Sequence, residues 1–122
     1  RKAKRLVNPF PLWLTSVFFE AKARAKRKNV ACEITKNELE EIYNETKGFC
    51  AYCNTQFNFH NTTKTRRDSP SVDRIIPDQG YIKNNLTICC HRCNMIKNEA
   101  TPTQLLAIAN KVHDLATIRN LM

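Results

Sequence analysis

Two pairs of cysteines constrain this chain more than anything else in it. They are Cys50-Ala51-Tyr52-Cys53 and Cys90-His91-Arg92-Cys93, with 36 residues between them. A Cys-x-x-Cys pair is too tight to cross-link distant parts of a fold by disulfide. Its two sulfurs suit one side of a metal ion, and a second pair completes a tetrahedron. Cys50, Cys53, Cys90 and Cys93 are therefore expected to hold a structural Zn²⁺ in a closed four-thiolate site. Two alternatives stand beside this set: Cys89 in place of Cys90, which leaves three residues before Cys93 rather than two, and His60 in place of one thiolate. A redox role for either pair needs a thioredoxin-like context that this chain lacks. Cys32 has no partner at metal spacing and reads as a buried thiol.

A chain of 122 residues has room for one core, and a metal staple adds folding free energy that a small core lacks. The expected organisation is a basic arm over 1–9, a helical region over 10–47, a metal-stapled core over 48–100 and a closing helix over 101–122. Helical periodicity runs from about Pro11 to Lys28, with Leu14, Val17 and Phe18 on one face and Asn29 as C-cap. Val30–Ile34 reads as a short extended piece. Thr35 and Glu38 form a capping box that opens a helix to about Glu45, with Leu39 and Ile42 inward, and Lys47-Gly48 stops it. Gln56–His60 alternates like a strand, and residues 61–70 read as a polar loop. Thr101-Pro102-Thr103-Gln104 opens the last helix, which runs to about Arg119. Its stripe of Leu105, Ile108, Ala109, Val112 and Leu115 is expected to be core or a dimer face.

The net charge is +9, and its distribution is uneven. Residues 1–30 carry nine Lys/Arg against Glu20 alone, whereas residues 31–60 are net acidic. A basic arm and a basic loop on a mixed domain point to a polyanion. The residues expected to meet phosphates are Lys22, Arg24, Lys26, Arg27 and Lys28 at the end of the first helix, and Lys64, Arg66 and Arg67 in the loop. No run approaches the roughly 18–20 apolar residues of a membrane span, so no membrane partner is expected. Paired thiols reserved for metal fit a reducing compartment, and cytoplasmic placement in a bacterial or phage-infected cell is the expectation.

The chemistry concentrates in Ser71–Lys97. Val72-Asp73-Arg74-Ile75-Ile76 is a strand ending in charge, Pro77-Asp78-Gln79-Gly80 is a turn, and Tyr81-Ile82 returns, followed by Asn84–Ile88 and a helix carrying Asn94 and Lys97. A carboxylate on the strand and an amide on the helix offer hard oxygens suited to Mg²⁺ or Mn²⁺. Such an ion stabilises developing charge on a phosphodiester under attack. Asn85 lies where its side chain can hydrogen-bond across the loop.

Asp73, Asn85 and Asn94, spaced by twelve and nine residues and framed by the two cysteine pairs, resemble the HNH (ββα-metal, His-Me finger) endonucleases. The pattern Asp-Arg-Ile, Gly-Tyr, Asn-Asn-Leu, Cys-x-x-Cys-Asn and Lys is similar to zinc-containing members of phage and bacterial defence systems. The resemblance covers roughly Ala21 to Ala109. It implies an α+β fold: a zinc-stapled ββα-metal core with N-terminal helices and a C-terminal helix. It also implies that Asp73 and Asn94 ligate the catalytic ion and that Asn85 orients the loop. Most of the family carries His directly after the metal-binding acid, as general base; here that residue is Arg74, which stays protonated and clamps or stabilises phosphate instead. The base would then be His91, at i−3 from Asn94, or a hydroxide on the metal. Lys97, at i+3, is placed for a phosphate contact.

The leading expectation is a divalent-metal-dependent endonuclease acting on DNA, with RNA as the other nucleic-acid substrate and with a homodimer or a larger complex compatible with the C-terminal stripe. A non-catalytic nucleic-acid-binding zinc module on the same scaffold is the alternative, favoured by Arg74. A zinc-stapled protein adaptor comes third.

Overall fold

The computed structural model describes residues 8–60 and 65–122. It is a mixed arrangement of helices around one two-stranded sheet, in the order α1 (Phe10–Lys28), α2 (Lys36–Glu45), β1 (Pro70–Arg74), β2 (Leu86–Cys90), α3 (His91–Lys97) and α4 (Pro102–Ile118). Helix starts follow the local chemistry. Thr35 Oγ1 accepts from the Glu38 N–H and the Glu38 carboxylate accepts from the Thr35 N–H, the reciprocal capping box of α2. Thr101 and Gln104 do the same for α4, with Pro102 in its first turn. Asn29 closes α1 in the left-handed conformation at φ 54°.

Helix α1 buries Leu14, Ala21 and Ala25, and half-buries Val17 and Phe18. Its first turn joins an aromatic cluster: the Phe10 ring lies 4.8 Å from Tyr43 of α2, and Trp13 lies 5.7 Å from Phe59, edge to face. The indole N–H of Trp13 donates to the Pro70 carbonyl at 3.1 Å, tying α1 to the start of β1. Leu39 and Ile88 are fully enclosed and form the centre of the core between α2 and β2.

β1 and β2 are antiparallel, with Pro70 opposite Cys90 and Arg74 opposite Leu86. The first strand therefore starts and ends two residues earlier than the pattern Val72–Ile76 suggests. Its pairing stops because the Asn85 side chain takes both backbone groups of Ile76, the N–H and the C=O. Tyr81-Ile82 does not return along β1 either. The Tyr81 N–H donates to the Ala31 carbonyl and the Glu33 N–H to the Tyr81 carbonyl, both at 2.8 Å, so this segment pairs with the extended piece after α1. Gly80 permits the contact: it sits at φ +75°, and a Cβ there would come within 2.4 Å of the Ala31 carbonyl oxygen.

Gln56–His60 is not a strand. Gln56 bridges Phe49, Phe57 donates to Gly48 and Asn58 donates to Asp68, so successive backbone groups find different partners. The alternation read in the sequence is real, but it serves to send Phe57 and Phe59 into the core and the aromatic cluster. Cys32 is only half-buried. The arm 1–7, and Lys64 of the basic loop, lie outside the described residues.

The expectation that the α4 stripe forms core does not hold. Leu105 is half-buried, while Ile108, Val112 and Leu115 are exposed, and α4 buries no residue completely. Its first turns meet the body, where Leu105, Leu106 and Ala109 stand over Tyr52, Ile75 and Ile96. No helix among the described residues is long and apolar enough to cross a membrane.

This packing makes a contrast in stability measurable by urea unfolding. Leu39→Ala is expected to cost about 2–5 kcal/mol, and Val112→Ser less than about 0.5 kcal/mol. A loss at Val112 as large as at Leu39 would mean that α4 is covered.

Candidate metal centre and groove

The Sγ atoms of Cys50, Cys53, Cys90 and Cys93 lie within 4.8 Å of one another. Cys50 is the hub: the N–H groups of Tyr52, Cys53 and Cys90 donate to its sulfur at 3.4, 3.4 and 3.2 Å. Cys90 caps α3 by accepting from the Cys93 N–H at 3.4 Å. Amide donors turned on sulfur favour thiolates, and four thiolates need a cation among them. The thiols differ in how readily they ionise. Hydrogen bonding with Thr55 brings Cys53 down to about 6, whereas burial pushes Cys90 and Cys93 up. Four cysteines so placed could hold a metal such as zinc. Cys89 is outside the set: it is buried beneath β1, 3.8 Å from Ser71 Oγ, and burial raises it to about 12.

The first knuckle also carries Tyr52, whose hydroxyl donates to Asp73 Oδ2 at 2.5 Å. Burial of that hydroxyl and its bond to the carboxylate push its titration well above the ordinary tyrosine value, so it remains a donor. From the other side the Lys97 amine lies 3.4 Å from both Asp73 oxygens and donates to the Arg74 carbonyl at 2.9 Å. Asp73 is 3% exposed and Lys97 6%. The sequence places Lys97 for a phosphate contact; the structure places its charge inside, on Asp73. A divalent ion taking Asp73 as ligand must share it with, or displace, that ammonium.

Asn85 is buried and accepts from the Ile76 N–H while donating to the Ile76 and Gly80 carbonyls, at 2.9, 2.9 and 2.8 Å. Asn94 donates through Nδ2 to Ser71 Oγ at 3.0 Å and to the Val72 carbonyl at 3.4 Å, which leaves its Oδ1 as the acceptor. Arg74 is fixed rather than free: it donates to the Pro77 carbonyl at 3.0 Å, lies 3.5 Å from Glu99 and stacks 5.3 Å over the Tyr81 ring. Glu99 also takes Lys28, and the nearby lysine holds its carboxyl below the usual range.

Asn94 and His91 line a groove of about 860 Å³ between α1 on one side and β1 with α3 on the other. Its walls include Trp13, Glu20, Arg24, His60, Ser71 and Asn98. Of the cations expected to meet phosphates, Arg24 and Arg27 bind Glu20, Lys28 binds Glu99 and Lys22 sits over the Phe18 ring. Arg66 and Arg67 are exposed at the loop's end. Tyr52, Glu99 and Asp68 carry no signal in the sequence: Tyr52 and Glu99 meet partners far along the chain, and Asp68 meets His60 across a polar loop with no distinguishing spacing.

No family model matches the chain. The fold is similar to that of an HNH endonuclease. The solved structure it resembles is that of the rare-cutting HNH restriction endonuclease PacI, with a TM-score of 0.58 at 18% identity, over 88% of this chain and 81% of that one. In sequence it is 27% identical over 93 residues to R423, an uncharacterized protein of Acanthamoeba polyphaga mimivirus. The match takes in 76% of this chain and 16% of that protein's length.

Removing Lys97 isolates a buried anion, so Lys97→Met is expected to lower unfolding free energy by about 3–5 kcal/mol in urea titrations. An unchanged midpoint would show that Asp73 does not depend on the lysine for its charge.

Proposed function

We propose that the protein is a metal-dependent HNH endonuclease that hydrolyses DNA phosphodiester bonds, with zinc in the four-thiolate site. The observation that carries the reading is the β1–β2–α3 unit, in a fold similar to that of an HNH restriction endonuclease, with Asp73 on the strand and Asn94 on the adjoining helix, where Asn94 lines a groove of about 860 Å³. Asp73 and Asn94 would hold Mg²⁺ or Mn²⁺, a carboxylate and an amide oxygen being suitable hard donors. Such an ion, when bound, supplies charge stabilisation at the phosphate and at the departing oxygen.

The chain's own residues do the rest. Asn85 fixes the loop between the strands by three hydrogen bonds, and so the direction in which Arg74 leaves β1. Arg74 contributes positive potential toward the phosphate and no proton acceptance. Lys97 lies against both Asp73 oxygens in a buried setting. His91 lines the groove wall. Lys22, Lys26, Arg66 and Arg67, with Lys64 and the basic arm, supply affinity that falls with salt.

One observation favours a second reading, a non-catalytic nucleic-acid-binding module: the Asp73 carboxylate already has a cation, Lys97, on both oxygens. Plasmid cleavage separates the two. Under the nuclease reading, wild type nicks or linearises with Mg²⁺ or Mn²⁺ and not with EDTA, and Asp73→Ala loses at least about 100-fold in rate. Salt-sensitive DNA binding without any cleavage would favour the binding module. The metal content tests the staple: Cys89→Ser should keep one zinc per chain by elemental analysis, while Cys90→Ser should lose it and unfold.

A further inference from the structure

Hydrolysis by water needs a group that accepts the nucleophile's proton, and Arg74 cannot serve. The titratable groups that line the groove are Glu20 and Arg24 from α1, His60 from the segment before the loop, His91 from α3, and Tyr81, which is buried with Arg74 stacked on its ring. Glu20 is occupied by Arg24 and Arg27. His91 has no hydrogen-bond partner for its ring among the described residues and adjoins the metal-binding Cys90. His60 differs from both. Its Nε2 lies 2.6 Å from Asp68 Oδ1, and its side chain is 18% exposed.

We infer that His60, oriented by Asp68, is the proton acceptor for water attacking a phosphodiester in the groove between α1 and the β1–α3 unit. The inference rests on the nuclease reading above.

Three observations support it. First, the pair is built. The Asn58 side chain accepts from the His60 N–H at 3.0 Å and the Asn58 N–H donates to the Asp68 carbonyl at 3.1 Å, so the two ends of the loop are pinned where histidine and aspartate meet. Second, the ring's tautomer is fixed by chemistry. The bond from His60 holds the Asp68 carboxyl below its ordinary range, with Arg66 adding to the effect, so Asp68 is an anion near neutrality and only accepts. Nε2 must therefore donate to it, leaving Nδ1 as the basic nitrogen. A carboxylate behind an imidazole both orients the ring and stabilises the imidazolium once it takes a proton. Third, His60 holds φ 49°, in a left-handed region that costs a non-glycine residue free energy and that clusters at working sites.

The step balances without another reactant. A proton of water passes to His60 Nδ1 as its oxygen bonds to phosphorus. The bond from phosphorus to one sugar oxygen breaks, and that oxygen takes a proton from solvent, giving a phosphate monoester and an alcohol.

The test is single-turnover cleavage of a duplex at saturating protein with divalent metal, across pH, for wild type, His60→Ala, His60→Gln, Asp68→Asn and His91→Ala. DNA affinity and thermal unfolding are measured in parallel. The expected result is a loss of about 100-fold or more in rate for both His60 variants, with affinity and melting temperature close to wild type. The acid limb of the pH–rate profile should disappear, and added imidazole should restore part of the His60→Ala rate. Asp68→Asn should fall between them and wild type, and a loss in His91→Ala larger than that of either His60 variant would overturn the assignment. His60 variants that cut at the wild-type rate, or that lose rate only in step with affinity or stability, would overturn the assignment and leave the nuclease reading intact. A wild type that never cuts would overturn both.

Discussion

The four-sulfur cluster is the constraint from which the rest of the site follows. The fully enclosed side chains are few, with Leu39 and Ile88 at their centre, so a core of this size leaves little margin against chain entropy. Gathering Cys50 and Cys53 against Cys90 and Cys93 closes a long loop and fixes the first knuckle against the end of β2, where the Ala51 N–H donates to the Ile88 carbonyl at 3.1 Å. It also decides where Tyr52 goes. Lying between the two sulfurs of the first knuckle, that residue is delivered over β1, and its hydroxyl reaches Asp73. The staple and the acidic centre are thus one structure, joined by a single hydrogen bond.

Asp73 then sits between two demands. Its burial raises the cost of its charge, which Lys97 and Tyr52 offset. The same partners occupy the oxygens that a divalent ion would use. A cation that displaced the ammonium would replace one positive charge beside the carboxylate with another, which avoids leaving a buried anion bare. If the lysine did not yield, the same geometry would be a structural ion pair. Arg74 is held as well, by Glu99, the Pro77 carbonyl and the Tyr81 ring.

Legibility from sequence followed the range of the interactions. Capping boxes at Thr35 and Thr101, the left-handed Asn29 and the paired thiols are set within four residues or by a fixed spacing, and each was readable. The role of Asn85 across its own loop was readable for the same reason. What failed was non-local. Whether Gln56–His60 pairs depends on a neighbouring strand that the described residues do not supply, and whether Tyr81 pairs with β1 or with Ala31 depends on Gly80 admitting a close backbone approach. The stripe on α4 has the period of a core face, yet periodicity says only that a face is apolar. It is silent about whether anything covers it. His60 and Asp68 are eight residues apart in a polar stretch, and nothing in their spacing distinguishes a dyad from two loop residues.

Charge placement refines the picture of how nucleic acid would be met. The net charge suggests a broad basic surface, but the cations of α1 are not all free for phosphates: Glu20 engages Arg24 and Arg27, and Glu99 engages Lys28. These pairs are exposed, so each contributes little to stability and can be given up to a stronger polyanion. Of these cations, Arg24 lies on the wall of the groove beside Glu20. Arg66 and Arg67 are exposed just before Asp68, the partner of His60. A duplex drawn in by both sets would bring its backbone along the groove where Asn94, His91 and His60 line the walls. The cations would set position, and the neutral and histidine side chains would be left to act at the phosphate.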